Sequence, residues 1–224
     1  MRRTIGRGTL VVSCQARDDN PLTGPEFMRA MALAAVQGGA AGIRAEGVAD
    51  IAAIRAALDV PVIGLVKRWD AAFAVYITPA FADAAAIVAA GCDVVALDAT
   101  QGTRDGEPIT TLIPRIKREL GVAVMADIAT LEEGLAAAAM GADYVGTTLA
   151  GYTPARAATD GPDLELLAEL AARCPVPVVA EGRFETAAKV ARAFALGAHA
   201  VVVGTAITNP REITRRFAAA APGP

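Results

Sequence analysis

The sequence predicts an α/β protein built as a single-domain (β/α)8 barrel, the TIM-barrel architecture. Three observations favour this fold: eight short apolar runs alternate with longer amphipathic segments, glycine returns ahead of every second run, and polar residues close nearly every run. A chain of 224 residues is long enough for eight strand–helix units around one core. We expect one domain over residues 1–224, with the barrel from about Gly8 to Phe217 and a frayed tail at 218–224.

The apolar runs are rich in Val, Ile, Leu and Ala up to their last positions. Nearly continuous apolar character is typical of strands that are buried on both faces of a parallel sheet. In chain order the runs are Leu10–Gln15, Gly42–Gly47, Pro61–Lys67, Asp93–Thr100, Val122–Ile128, Tyr144–Leu149, Pro177–Arg183 and Ala200–Ile207. We expect each run to form one strand.

The segments between the runs have helical periodicity. In the last complete one, Ala187, Val190, Ala191 and Phe194 recur at spacings of three and four, and Gly197 follows as a helix-ending glycine. Glycine precedes the even-numbered runs about every fifty residues, the length of two strand–helix units. This period suits a barrel whose odd and even strands fill alternate layers of the core.

The segment Trp69–Pro79 fits this pattern least well, since Val75-Tyr76-Ile77 is compatible with a short strand or with a loop over the site. An open doubly wound sheet is the alternative fold. Such sheets usually have about five or six strands and a glycine-rich phosphate turn near the start. The sequence contains neither a G-x-G-x-x-G nor a G-x-x-x-x-G-K motif, which favours the barrel.

Composition narrows the function classes. The formal net charge is −3 and the pI about 5.3, without a basic stripe, so we expect no nucleic-acid partner. No uncharged apolar run reaches the roughly 18 residues of a membrane span, and no signal peptide is recognisable. The 3 cysteines lack the spacing of a disulfide framework or zinc site. We therefore expect a cytoplasmic protein.

Polar residues close the runs at the strand ends where the active sites of such barrels lie. Alternation with a period of two places Lys67, Asp127 and Glu181 on the same strand faces as the apolar residues two positions before them. If those apolar residues fill the barrel interior, the three charged groups point into one mouth. The alternative is that each is an ordinary solvated charge.

Lys67 and Glu181 are the candidate catalytic residues. A partly desolvated lysine can act as a base or as a Schiff-base nucleophile. Glu181 follows the seventh run, roughly across the ring from Lys67, so the two groups suit proton exchange on opposite faces of one carbon. The alternative is that Lys67 and Glu181 form a simple ion pair without a catalytic role.

A candidate phosphate site follows the seventh and eighth runs. Barrels often bind phosphate there through backbone N–H groups and the start of a short helix. Gly182 and Gly204 permit close approach, Arg183 adds charge, and Thr205 follows. Ordinary turn chemistry is the alternative reading of these glycines.

Metal and triad chemistry are poorly supported by the sequence. His199 is the only histidine, and it precedes the eighth run, at the end of the barrel away from the expected site. A carboxylate site built from Glu46, Asp98, Asp127 and Glu181 remains open but no pattern supports it. We therefore expect a structural histidine, no metal and no cofactor.

Three other side chains stand out. Trp69 and Tyr152 fall in segments expected to form loops over the mouth, where they either cover a ligand or pack against neighbours. Cys14 lies inside the first apolar run and is expected to be a small buried residue.

Taken together and in this order, the run ends resemble the N-acetylmannosamine-6-phosphate 2-epimerase family. The resemblance covers the chain from about Gly8 to Phe217. The matching stretches are Val12–Ala16, Gly42–Ala45, Ile63–Arg68, Tyr76–Pro79, Ala96–Thr100, Met125–Ile128, Thr147–Thr153, Ala180–Arg183 and Val203–Thr208. No single stretch is diagnostic, but nine in this order are highly specific.

The resemblance implies a homodimeric, metal-independent TIM-barrel isomerase of amino-sugar and sialic-acid breakdown. It would interconvert N-acetylmannosamine 6-phosphate and N-acetylglucosamine 6-phosphate. Lys67 and Glu181 occupy the family's catalytic positions, and Gln15, Arg44 and Asp127 would contact the sugar. We expect Tyr152 to join them at the mouth.

The mechanism expected from this resemblance is removal and return of the C2 proton of the open-chain sugar. Neutral Lys67 would take the proton, Arg44 or other donors would hold the enolate, and Glu181 would open the ring or return a proton. A Schiff-base aldolase using Lys67 and a catalytically silent sugar-phosphate-binding barrel are the alternatives.

Two positions depart from the family pattern. Asn209 stands where an arginine often follows the Ala-Ile-Thr stretch, so one phosphate contact would be missing or replaced. Ala150 replaces a frequent serine before Gly-Tyr-Thr, a change that we expect to be tolerated.

Overall fold

The computed structural model describes residues 2–17 and 19–222, which form a closed barrel of eight parallel strands. Each strand pairs with its neighbours in chain order, and β8 closes on β1. The strands are β1 Thr9–Cys14, β2 Gly42–Glu46, β3 Val62–Leu65, β4 Val94–Asp98, β5 Ala123–Asp127, β6 Tyr144–Gly146, β7 Val178–Glu181 and β8 Ala200–Val203. The predicted (β/α)8 barrel is confirmed, and each predicted run contributes one strand.

Helices follow the strands and surround the barrel. They are α1 Pro25–Gln37, α2 Val48–Ala57, α3 Phe81–Ala89, α4 Ile109–Leu120, α5 Leu131–Ala139, α6 Leu164–Arg173, α7 Ala187–Ala195, α8 Thr205–Thr208 and α9 Pro210–Ala219, with a 3-10 turn at Thr147–Leu149. Local sequence signals fix several ends. Thr130 and Glu133 form a capping box at the start of α5, and Gly121 ends α4 in the left-handed conformation.

The core has two layers, as a closed barrel requires. Ile63, Leu65, Met125 and Val179 belong to the cluster that fills the barrel interior. A larger cluster lies between the outer strand faces and the helices. The predicted alternation is therefore correct, and it directs the polar residues at the strand ends into the mouth.

The segment after β3 turns back on itself at the mouth. Lys67 and Ile77 form an isolated antiparallel bridge. Thr78 is fully buried with a φ of 43°, and its hydroxyl donates to the Ala96 carbonyl over 2.6 Å. Both readings of Val75-Tyr76-Ile77 were partly right, because the segment is a loop held by one strand-like bridge.

Three further details of the fold concern His199, the C-terminal tail and the helices as a set. His199 lies before β8 and its Nε2 is 2.9 Å from the Ile5 carbonyl oxygen, away from the mouth. Helix α9 includes Ala218 and Ala219, which the sequence analysis assigned to the tail, and the last two tail positions, 223 and 224, lie outside the described residues. Within the described residues, none of the helices combines the length and apolar character needed to cross a membrane.

Candidate active site

A cavity of about 610 Å³ opens at the carboxyl ends of the strands. Its size suits a small-molecule ligand. The predicted site residues on its wall are Gln15, Arg44, Lys67, Tyr152, Glu181, Gly182, Arg183, Gly204 and Thr205. The tertiary structure therefore brings nine of the ten predicted residues to one cavity; Asp127 is the exception.

A buried cluster of charges lies at the floor of this cavity. The Arg44 guanidinium donates to both carboxylate oxygens of Asp127, over 3.2 and 2.6 Å, and is only 1% exposed. It also lies 3.1 Å from Glu181 Oε2. Thr148 donates to Asp127 over 2.6 Å and lies 3.3 Å from the same Glu181 oxygen. The cluster holds Glu181 at a defined position on the wall.

Asp127 lies behind the cavity wall rather than on it. Its side chain is 0% exposed, and Gly146 of β6 leaves the space that it needs. A Cβ at Gly146 would come within 3.1 Å of Asp127 Oδ1 and 2.4 Å of Met125 Cε. This placement differs from the direct sugar contact expected for Asp127, and it makes the carboxylate the partner that orients Arg44.

The environment of Glu181 prepares it for proton transfer near neutral pH. Burial and the nearby Asp127 charge raise the pKa of Glu181 to about 7, against the lowering effects of Arg44, Thr148 and Lys67. A carboxyl with a pKa in this range can both accept and donate a proton at physiological pH. Glu181 therefore has the properties of a general acid–base.

Lys67 has its own set of partners. Its Nζ donates to Gln15 Oε1 over 2.6 Å and forms an ion pair with Glu46 Oε2 at 3.0 Å. Gln15 is in turn oriented by a 2.8 Å bond to Ser13. The ion pair between Lys67 and Glu181 weighed in the sequence analysis does not form in the described structure. Lys67 follows β3 and Glu181 ends β7, so the two side chains lie on opposite sides of the eight-stranded ring.

Aromatic side chains stand over the mouth. Trp69 is 65% exposed and its ring stacks on Tyr76, with the centroids 4.1 Å apart and the planes at 16°. Tyr76 lines the cavity beneath it. On the other side, Tyr152 lines the cavity with the Arg183 guanidinium 5.3 Å from its ring centre.

The phosphate candidates divide into two groups. Gly204 precedes the short helix α8, whose first residue is Thr205, and both line the cavity with Gly182. Arg183 instead donates to the Gly161 carbonyl over 2.7 Å and to the Ala150 carbonyl over 2.8 Å. This use of Arg183 differs from the predicted phosphate contact, because its guanidinium ties down the loop between β6 and α6.

Helix α9 supplies positive charge that the sequence analysis missed. Arg211 and Arg216 both line the cavity. Arg211 pairs with Asp19 at 3.1 Å and Arg216 with Glu185 at 3.0 Å. Asn209 caps α9 by accepting from the Glu212 amide. Arginine recurs after the eighth run, and this was the only sequence signal for these cavity residues. The arginines form no recognisable motif.

The acidic residues at the mouth are otherwise engaged. Glu46 pairs with Lys67, and Asp127 and Glu181 contact Arg44, whereas Asp98 accepts two bonds from Thr100. Across residues 2–17 and 19–222, no group of three or more potential ligands gathers to hold a metal ion. The four carboxylates considered as a metal site therefore contact three different partners: Lys67, Arg44 and Thr100.

Comparisons with known proteins agree with this geometry. A family described as "Putative N-acetylmannosamine-6-phosphate epimerase" matches residues 28–222. Relatives described as "Putative N-acetylmannosamine-6-phosphate 2-epimerase" occur in Thermosynechococcus vestitus, at 53% identity over 91% of this chain and 89% of the relative. The relative in Cutibacterium acnes is 50% identical over 94% of this chain and 92% of its own length.

A solved structure gives the same answer. The N-acetylmannosamine-6-phosphate 2-epimerase from Clostridium perfringens is 44% identical, with a TM-score of 0.93 over 96% of this chain and 94% of that one. Fold, sequence and the arrangement of polar strand ends therefore agree. The chain belongs to the N-acetylmannosamine-6-phosphate epimerase family.

Proposed function

We propose that this protein epimerises C2 of N-acetylmannosamine 6-phosphate to give N-acetylglucosamine 6-phosphate, and the reverse. The observation that carries the proposal is the placement of Lys67 and Glu181 on opposite walls of one cavity, each with separate partners. An epimerase must remove a proton from one face of a carbon and return one to the other. Two acid–base groups facing each other across a substrate meet this need.

The chemistry starts from the open-chain sugar, in which the C1 aldehyde makes the C2 proton acidic. Lys67 forms an ion pair with Glu46 in the free protein, while Glu181 can be ionised near neutral pH. In one direction Glu181 takes the C2 proton and Lys67 delivers one to the opposite face. In the other direction the roles exchange, with Glu46 as the counter-charge of Lys67.

The phosphate of the substrate belongs at the carboxyl ends of β7 and β8. Gly204, Thr205 and Gly182 line that part of the cavity, and their main-chain N–H groups are the donors that we propose for the phosphate. Arg211 and Arg216 add positive charge from α9. In this arrangement the charge comes from α9 and not from Arg183.

The test is proton NMR in deuterated water with N-acetylmannosamine 6-phosphate. We expect loss of the C2 proton signal together with formation of the epimer, and no covalent adduct after borohydride reduction. Exchange without product would contradict epimerisation. A trapped Lys67 adduct would support the aldolase alternative, and binding without exchange would support a silent sugar-phosphate-binding protein.

We also propose a cytoplasmic homodimer. The free thiols of Cys14, Cys92 and Cys174 are compatible with a reducing compartment. Helix α9 has no buried residue, and its Phe217 is 77% exposed, so this face has apolar surface available for a second copy. Light scattering across a concentration series tests the dimer, and a monomer throughout would contradict it.

A further inference from the structure

The proposed reaction needs a hydrogen-bond donor for the oxygen on C1. When the base takes the C2 proton, the electron pair of the C2–H bond forms the C1–C2 double bond, and the C1 carbonyl pair moves onto oxygen as an enolate. The negative charge on that oxygen persists until the second group protonates C2. Donors aimed at such an oxygen commonly contribute large rate factors.

The resemblance implied Arg44 or other donors for the enolate, but in the structure the terminal nitrogens of Arg44 have other partners. Its side chain is 1% exposed, and both terminal nitrogens contact carboxylates of Asp127 and Glu181. The hydroxyl of Thr148 is likewise directed to Asp127. Arg44 therefore orients Glu181, and the enolate oxygen requires another donor on the wall.

Tyr76 meets that requirement. Its side chain lines the cavity with Lys67 and Glu181. Within the part of the chain that the structure describes, no protein group accepts a hydrogen bond from its hydroxyl. A phenol on a cavity wall with its donor unused is available to a ligand.

The position of Tyr76 is well defined. Its carbonyl accepts from the Arg68 amide over 2.9 Å, and the next residue, Ile77, bridges to Lys67. The ring stacks on Trp69 at 4.1 Å. Tyr76 is thus held in register with the catalytic lysine, as a group in the reacting geometry must be.

The protonation state is also suitable. Burial and the charges of Asp127 and Asp98 raise the pKa of Tyr76 to about 12, against the lowering effect of Arg44. A phenol in this range keeps its proton throughout the pH range in which Glu181 titrates. It remains a donor while Glu181 gains or loses a proton.

We propose that Tyr76 is a further catalytic residue, whose hydroxyl donates a hydrogen bond to the C1 oxygen of the open-chain sugar as that oxygen becomes an enolate. The proposal rests on the proposed epimerisation. It assigns chemistry to the Tyr76–Pro79 stretch, which matches the family pattern but had no role predicted from the sequence. It also frees Arg44 and Asp127 to serve as positioning residues for Glu181.

The first test is Tyr76→Phe, which keeps the ring and its contact with Trp69. We expect kcat for N-acetylmannosamine 6-phosphate and the rate of C2 exchange to fall about 100-fold, with KM changed less than about threefold. The matched control is Tyr144→Phe, which removes a hydroxyl near Ile5, at the other end of the barrel; its kcat should equal that of the wild type. A wild-type kcat for Tyr76→Phe, or an increase in KM alone, would overturn the proposal.

A second variant separates chemistry from folding. Replacing Tyr76 by 3,5-difluorotyrosine keeps the shape of the side chain but lowers the pKa of the phenol. We expect kcat to fall as the pH rises through this lower pKa, while the wild-type profile stays level there. An unchanged pH profile would overturn the proposal even if Tyr76→Phe failed to fold. The wild type is measured first: no product from it contradicts epimerisation itself, whereas wild-type turnover by both variants contradicts only the role of Tyr76.

Discussion

The buried contact between Arg44 and Asp127 allows a prediction in which stability and catalysis change together. Asp127→Asn keeps the shape of the side chain and the acceptor for Thr148, but it removes the charge that balances Arg44. Because Arg44 is 1% and Asp127 0% exposed, solvent cannot replace the lost partner. Removing one member of a buried ion pair costs about 3–5 kcal/mol. The remaining contact with Glu181, at 3.1 Å, offsets part of this loss, so we expect about 2–4 kcal/mol.

The same substitution should change the acid–base behaviour of Glu181. The Asp127 charge raises the pKa of Glu181, whereas Arg44 lowers it. With Asp127 neutral, Arg44 acts on Glu181 alone, and the pKa of Glu181 falls below about 7. In the direction in which Glu181 is the base, the rise of kcat/KM with pH therefore moves to lower pH.

The assays are urea denaturation for the free energy of unfolding and a pH profile of kcat/KM. The matched control is Asp105→Asn, which removes a half-exposed partner of Arg68 and should cost less than about 1 kcal/mol. A loss below about 1 kcal/mol for Asp127→Asn, or a pH profile that moves to higher pH, would refute this reasoning about the buried cluster.

Four further predictions follow from the same site. Lys67→Ala should slow C2 exchange by about 10²–10⁴-fold with an unchanged circular dichroism spectrum, and wild-type exchange would remove Lys67 from the mechanism. Gly204→Val should raise KM for the phosphorylated sugar by about 10- to 100-fold. A Cβ at this position would lie 3.3 Å from Ser13 Cβ, and the branched side chain would displace the start of α8. Equal losses for the unphosphorylated sugar would place the phosphate elsewhere. Arg183→Ala should chiefly loosen residues 150–161, which its guanidinium holds. The expected result is faster proteolysis of that loop with a modest change in KM. A rigid loop with a large increase in KM would instead support the predicted phosphate contact. Dialysis against a chelator should leave activity unchanged, because the carboxylates at the mouth already serve cationic and hydroxyl partners; restoration of a lost activity by a divalent ion would contradict this.

Local patterns in the sequence were sufficient to predict the architecture and most of the predicted site residues that line the cavity. Strands buried on both faces are nearly continuous apolar runs, so eight of them separated by helical segments left few alternatives to a barrel. Period-two alternation then correctly directed Lys67 and Glu181 to the mouth, because that period is set by backbone geometry.

The partners of these side chains were decided only by the tertiary structure. Arg44 and Asp127 lie 83 positions apart in the chain, and no local pattern shows that they bury each other's charge or that Gly146 leaves the space. Arg183 looks like a phosphate ligand in sequence, yet the fold directs it to carbonyl groups of a loop. Tyr76 comes beside Lys67 because the chain reverses between them and buries Thr78. Contacts between distant segments depend on how the whole barrel closes, and this closure decides which charged groups are paired, which are buried and which remain available for a substrate.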